Sequence, residues 1–149
     1  VSVGIIGHGT GTSTSEISKV TLDGPDGVTL SGNITTGDYS DAAVDITGPV
    51  TLGAGITIDT ANTNNDGTIT FNSTATINGA NTLTLNTDTG AVALQGAIGT
   101  SGTGIGNLDI NQSGGNATIE VNDIGDADNV GVTGTVNIGN AATTSITLD

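Results

Sequence analysis

The feature that most constrains the fold is a triplet of an apolar residue, a small or polar residue and a second apolar residue, which recurs along the chain. Alternation with a period of two is typical of a β-strand that buries one face. Gly, Asn, Asp and Thr fill the segments between triplets, and these residues favour turns. We therefore predict many very short strands joined by turns. Twelve of the triplets occupy residues 28–30, 44–46, 50–52, 56–58, 69–71, 83–85, 92–94, 108–110, 119–121, 130–132, 136–138 and 146–148.

A five-residue unit, with a glycine at the centre and an apolar residue at each end, repeats on a longer scale. It begins at Leu30, Leu94 and Val132, with a near match at Leu52, so the successive gaps are 22, 42 and 38 residues. Taken as one, two and two repeats, the gaps give a period of about 19 to 22 residues, which is typical of solenoids. The central glycine would let the chain turn a corner between two strands.

The fold class predicted from these two periods is all-β, a parallel β-helix (β-solenoid) of about five to six coils. Terminal units of solenoids are commonly atypical because they cover the core. Residues 1–20 depart from the repeat and are predicted to form an N-terminal cap or donor segment, and residues 21–149 to form the β-solenoid repeats.

Composition favours the solenoid over a β-sandwich or a disordered chain. The only aromatic residues are Tyr39 and Phe71, and there is no Trp, Met or Cys. A β-sandwich normally uses longer strands, more aromatic core residues and fewer glycines. The chain instead contains 28 Thr, 25 Gly and 15 Asn, with Val, Ile, Leu and Ala as its apolar residues. Disorder is disfavoured because the apolar residues are strictly patterned.

The charge balance excludes several classes of partner. The net charge is −14, and Lys19 is the only basic residue. Nucleic-acid binding is not expected because almost nothing could neutralise phosphates. Direct membrane insertion is not expected either, because no apolar run approaches the length of a membrane span. The near absence of Lys and Arg also removes trypsin-type cleavage sites, which suits a protein exposed to secreted proteases.

No arrangement of residues in the sequence indicates catalysis. His8, the only histidine, stands between two glycines, and no motif places a serine or aspartate beside it. Polysaccharide-active enzymes built on β-helices need paired carboxylates, or a basic residue beside bound calcium, together with aromatic platforms for sugar rings. Two aromatic residues and one lysine make a calcium-dependent enzyme of that kind a remote alternative. We therefore expect a protein that is not an enzyme, with no catalytic residues and no cofactor-binding residues.

Two groups of oxygen-bearing side chains are weak calcium candidates. Oxygen ligands at short spacing suit a hard cation, so calcium is the one cofactor that remains open. Neither group matches an EF-hand loop or the repeat of calcium-loaded β-rolls, and Asp and Asn are also common in turns for conformational reasons. The first group comprises Asp123, Asp126 and Asp128, and the second comprises Asp59, Asn64 and Asp66.

Several segments resemble repeats of large secreted β-helical bacterial adhesins, the filamentous-haemagglutinin-like proteins. The stretches are 53–60 (GAGITIDT), 77–99, 106–115 (GNLDINQSGG) and 130–149. The ending NIGNAATTSITLD is also similar, more weakly, to repeats in phage tail fibres. The resemblance implies a secreted, surface-displayed parallel β-helix with adhesive or scaffolding use and no catalytic residues. Those adhesins are far longer than this chain, so a segment of a longer solenoid and a small polymerising subunit both remain open.

The two ends of the repeat array are the predicted self-assembly surfaces. An uncovered solenoid end presents unpaired backbone groups to which another strand can pair. The strand pattern continues to the last residues, and the first six residues are apolar enough to lie on a neighbour's open end. The proposed self-assembly residues are Val1, Val3, Ile5, Ile6, Ile146 and Leu148.

The function expected from the sequence is a structural subunit of an extracellular, self-assembling fibre or cell-surface filament with a scaffolding or adhesive role. The expected partners are copies of the chain itself in a head-to-tail homopolymer, with host or matrix glycans as a second class that remains open. The alternative is a stalk segment of a large secreted β-helical adhesin whose binding tip lies elsewhere.

Overall fold

The structure is a computed structural model, and it describes residues 1–7, 17–100, 102–111, 114–125 and 130–149. Within these ranges all regular secondary structure is β-strand, and every strand pair is parallel. The strands form a β-solenoid of about five turns, which confirms the predicted fold class. His8 and the calcium candidates Asp126 and Asp128 lie outside the described residues.

Three parallel sheets form the walls of the solenoid. The first sheet contains, in spatial order, β1 (Ser2–Val3), β3 (Val28–Leu30), β6 (Val50–Leu52) and β9 (Ile77–Asn78). The second contains β4 (Ile34–Thr35), β7 (Ile56–Asp59), β10 (Leu83–Asn86), β12 (Leu108–Ile110) and β14 (Val136–Ile138). The third contains β2 (Lys19–Asp23), β5 (Ala43–Thr47), β8 (Thr68–Phe71), β11 (Val92–Leu94), β13 (Thr118–Val121) and β15 (Ser145–Leu148).

Each coil passes through the third, the first and the second sheet in turn, as in the succession β5, β6 and β7. Isolated bridges extend two of the sheets beyond their named strands. Ile98 bridges Ile77 and Ile124 along the first sheet, and Ile6 bridges Ile34 at the start of the second. Neighbouring parallel strands lie about 4.8 Å apart, so five coils form a rod about 25 Å long.

The core is a set of apolar columns that run along the rod axis. One column in the third sheet is typical of the others. Each member pairs with the residue one coil away, and the members between the two terminal strands are 0–1% exposed. The alternate residues of each triplet point outward, which is the two-residue period seen in the sequence. The members of this column are Val20, Val44, Ile69, Val92, Ile119 and Ile146.

Coils are longer than the sequence period suggested. Register partners lie between 21 residues apart, as in Ile77 and Ile98, and 28 apart, as in Leu108 and Val136. The predicted period of about 19 to 22 residues was therefore too short. The reason is that the glycine-centred unit marks two different corners. Starting at Leu30 it joins the first sheet to the second, but starting at Leu94 it joins the third sheet to the first.

A buried polar column occupies the corner between the second and third sheets. Thr60 and Thr87 are fully buried, and each hydroxyl donates a hydrogen bond to a glycine carbonyl at the far side of its own corner. The acceptors are Gly67, at 2.9 Å, and Gly90, at 2.6 Å. The bonds hold the loop closed where the chain leaves one sheet for the next.

The N-terminal segment shares the ladders of the repeats. β1 pairs with β3, with Ser2 opposite Thr29 and Val3 opposite Leu30. The predicted boundary after residue 20 falls inside β2, whose five residues pair continuously with β5.

Candidate assembly surfaces at the ends of the solenoid

The C-terminal rung exposes side chains that belong to core columns. Ile146 pairs with Ile119, and Leu148 pairs with Val121. Both partners are almost completely buried, whereas Ile146 is 45% exposed and Leu148 is 64% exposed. Val136 of β14 is 43% exposed in the same way. These three side chains define the C-terminal rim, where apolar side chains face the rod axis and no further described coil covers them.

The N-terminal rung is different, because part of its core remains covered. Val3 and Val20 are only 8% and 6% exposed, although they belong to the first strands of their sheets. Val1 and Ile5 are 72% and 82% exposed, and Ile6 is half-buried beneath its bridge to Ile34. Of the predicted self-assembly residues at this end, Val3 and Ile6 therefore pack within the chain, and Val1 and Ile5 are accessible.

Backbone pairing at the two ends is one-sided. Among the described strands, β15 pairs only with β13, and β2 pairs only with β5. The outer edge of a terminal strand carries backbone donors and acceptors that can pair with another strand. Covering the half-exposed Ile146 and Leu148 would contribute about 1 kcal/mol each, since full burial of such a side chain contributes about 1.5–3 kcal/mol. The C-terminal rim therefore offers both hydrogen bonds and apolar burial to an added strand.

All three residues of the second calcium group take part in hydrogen bonds within the protein. Of the first group, only Asp123 lies among the described residues. A carboxylate oxygen of Asp59 accepts from the Ala61 amide at 3.0 Å, and one of Asp66 accepts from the Asn62 amide at 3.0 Å. The Asn64 side-chain amide donates to Asp38 at 2.6 Å. Across the described chain, no group of three or more His, Cys, Asp or Glu is arranged as a metal site. These contacts explain the Asp and Asn residues of this corner as loop-stabilising groups.

Asp38 links two successive coils by hydrogen bonds that the sequence did not reveal. Its carboxylate bridges to the next coil by accepting from the amide and side chain of Asn65, at 2.8 and 3.1 Å, as well as from Asn64. These hydrogen bonds, with that from the Asn64 side chain the strongest, lower the pKa of Asp38 below its ordinary value of 3.8. The signal that could have found the contact is the separation of 26 and 27 residues, which is one coil.

The same corner carries further carboxylates that reach one coil ahead. Asp66 accepts from the amide and hydroxyl of Thr89, and Asp88 accepts from the Gly115 amide. The single lysine is paired elsewhere, on the outside of the third sheet. Lys19 contacts Asp45 at 2.7 Å, and its hydrogen bond with that carboxylate raises the Lys19 pKa above 10.5. Negative charge therefore predominates along the sides of the rod.

A shallow groove of about 310 Å³ lies beside the outer face of the third sheet. Glu120 and Asp149 are its ionisable lining residues, and no basic or aromatic residue lines it. The groove therefore lacks the aromatic platform, and the basic group beside a calcium ion, that the polysaccharide-active enzyme alternative requires.

Comparison of the chain with protein-family models, with curated proteins and with solved structures finds no match. Within the described residues, no helix has the length and apolarity that would let it cross a membrane.

Proposed function

We propose that this chain is a structural subunit of an extracellular, self-assembling fibre or cell-surface filament with a scaffolding or adhesive role. The observation that carries the proposal is the C-terminal rim. Its Ile146 and Leu148 stand in columns whose other members are buried, and they are themselves about half exposed or more. One more coil would bury a side chain in that position, and a second copy of the chain would supply that coil.

Two features support growth along the rod axis over sideways clustering. The net charge of −14 opposes contact between the sides of two rods, because like charges repel at short range. The apolar side chains of the rim lie at the end, where each new coil adds to existing ladders. When two different surfaces of identical copies bind each other, the copies form a closed ring only if the rotation between neighbours allows it. Otherwise they form a filament.

Placement outside the cell is supported by the sequence. The near absence of Lys and Arg leaves few trypsin-type cleavage sites, and the repeats resemble those of secreted adhesins. Solenoid stability comes from stacking neighbouring coils, which suits a load-bearing or displaying element. Adhesion to host or matrix glycans would use the outer faces of the rod.

The second candidate is a stalk segment of a large secreted β-helical adhesin. The same open columns favour it, because further coils of one longer polypeptide would cover the C-terminal rim equally well. A denaturing gel of filaments from the native source separates the two candidates. Bands at the 14.4 kDa of this chain support the subunit, and a single very large polypeptide supports the stalk.

Electron microscopy of the purified 149-residue chain tests the subunit proposal directly. We expect unbranched filaments one rod wide, with an axial repeat of about 25–30 Å set by five to six coils at about 4.8 Å each. Sedimentation should show an average mass that rises with concentration. A chain that stays monomeric at high concentration under both low and high salt would contradict the proposal.

A further inference from the structure

The two terminal strands of the third sheet carry the same pattern in the same columns. β2 has the sequence KVTLD, and β15 with the residue after it has SITLD. Following the register through β5, β8, β11 and β13 places Ile146 in the column of Val20 and Leu148 in the column of Leu22. Thr147 falls in the outward column that begins with Thr21. The strand needed to continue β15 therefore resembles the strand with which the sheet starts.

We propose that a second copy docks head-to-tail, so that its β2 pairs in parallel with β15 and the register of the third sheet continues from one copy to the next. Resting on the self-assembly proposed above, this arrangement places Ile146 beside Val20 of the next copy, Thr147 beside its Thr21 and Leu148 beside its Leu22. Val20 is only 6% exposed in the isolated chain, so docking requires the N-terminal rung to open enough for Ile146 to reach it. The second sheet continues in the same way, with Ile138 beside Ile6 of the next copy, because these two residues begin and end one column.

The competing arrangement joins two C-terminal rims around a twofold axis. It would pair β15 with itself in antiparallel orientation and close the assembly as a dimer. The exposure of the other end argues against it, because Val1 and Ile5 would remain exposed in such a dimer. Head-to-tail docking brings the rung that carries them against the C-terminal rim and keeps the parallel pairing found in every described strand pair.

Cysteine cross-linking tests the register, and the chain suits it because it contains no native cysteine. Thr21→Cys and Thr147→Cys would be made as separate proteins. Both positions point outward, so the substitutions should leave the fold and the melting temperature essentially unchanged. Opposite residues of adjacent parallel strands lie about 5 Å apart, within the Cα separation that a disulfide tolerates. Oxidation should be carried out at about 0.5 M salt, which screens Asp149 from Asp23 of the next copy.

We expect a disulfide-linked dimer when Thr21→Cys and Thr147→Cys are mixed, at least tenfold above the yield from either protein alone. A chain carrying both substitutions should give a ladder of covalent oligomers on a non-reducing gel. The matched control pairs Thr147→Cys with Thr70→Cys, which lies in the same outward column but in the middle of the rod. That mixture should yield no more cross-linked product than random collision gives.

Two results would overturn the register. Dimers formed by Thr147→Cys alone would show that the C-terminal rims meet each other. Filaments visible by electron microscopy without the mixed cross-link would show that copies assemble through another contact, and the proposed function would then stand without this interface. Absence of filaments and of cross-links together would contradict both the interface and the proposed function.

Discussion

At the scale of one residue, the threonines of the corner between the second and third sheets test how much a buried hydroxyl contributes to folding stability. The hydroxyl of Thr87 donates to the Gly90 carbonyl and accepts from the side chain of Asn111 at 2.8 Å. Thr36 lies in the same column, yet its buried hydroxyl has no hydrogen-bond partner among the described residues. Thr36 and Thr87 are therefore buried to nearly the same extent but differ in the hydrogen bonds of their hydroxyl groups.

Thr87→Val should therefore destabilise the chain by about 1–3 kcal/mol, because a buried carbonyl and a buried amide lose their partner. Thr36→Val should be neutral or stabilising by up to about 1 kcal/mol, because it removes an unsatisfied polar atom. Urea denaturation followed by circular dichroism measures both. Equal losses in the two variants would show that the hydroxyl bonds of this corner are not what distinguishes them.

Asp38 gives a pH dependence whose sign follows from its lowered pKa. A carboxylate with a folded-state pKa below its unfolded value contributes stability at pH values above the unfolded pKa near 3.8. That contribution is lost as the pH falls through the folded pKa. Asp38→Asn should therefore lower the melting temperature at pH 7, and the difference from the parent should shrink below about pH 4.

Removing the side-chain donors while keeping the carboxylate is the matched test. The double variant Asn64→Ala and Asn65→Ala should reproduce part of the loss at neutral pH, because the two side-chain hydrogen bonds that favour the charged form are gone while the two backbone amides still donate to Asp38. Melting curves between pH 2.5 and pH 7 check both variants. A constant offset from the parent across this range would mean that Asp38 does not act through its charge.

At the scale of the element, the close approach of successive coils limits what a corner residue can be. A methyl group on Gly90 would collide with the Gly67 carbonyl of the preceding coil, and would lie 2.8 Å from its carbon atom. A methyl group on Gly55 would meet no atom within 4 Å. Neither glycine has a positive φ, so the two positions differ in space and not in backbone conformation.

Gly90→Ala should cost about 2–3 kcal/mol, because the coil must shift to make room. Gly55→Ala should be neutral or stabilising by about 0.4–1 kcal/mol, because alanine restricts the unfolded chain. Chemical denaturation of the two variants beside the parent provides the measurement. A Gly90→Ala protein as stable as the parent would mean that the coils are not in contact at this corner.

The elements show why the fold could be predicted and the coil length could not. Inward positions were recognisable because a strand with one buried face imposes a period of two, and Val44, Ile69 and Val92 follow it. The corners impose no comparable rule. Their loops differ in length from coil to coil, and a glycine serves wherever two backbones approach, so the units that begin at Leu30 and Leu94 look alike in sequence although they mark different corners.

The buried threonine column was equally hidden in the sequence. Thr60 and Thr87 occur among 28 threonines, most of which gave no sign of which face they occupy. They point inward only because the chain leaves the second sheet there, and that position depends on loop geometry. The hydrogen bonds of Asp38 also depend on the coil length. Because the predicted period was too short, it did not place Asp38 beside Asn64 and Asn65.

At the scale of the whole rod, the C-terminal rung of this chain exposes more of its core columns than the N-terminal rung does. Ile146 and Leu148 are already about half exposed or more in the isolated chain, so replacing both with threonine should lower folding stability only modestly. In an assembled filament the same side chains would be buried, and losing about 1 kcal/mol from each should weaken association by about 10- to 30-fold. Analytical ultracentrifugation of the double variant measures the association, and melting curves measure the folding. Thr147→Ser, which alters the outward residue between them, is the control and should assemble like the parent. A double variant that assembles as strongly as the parent would show that the C-terminal rim is not the growing end of the rod.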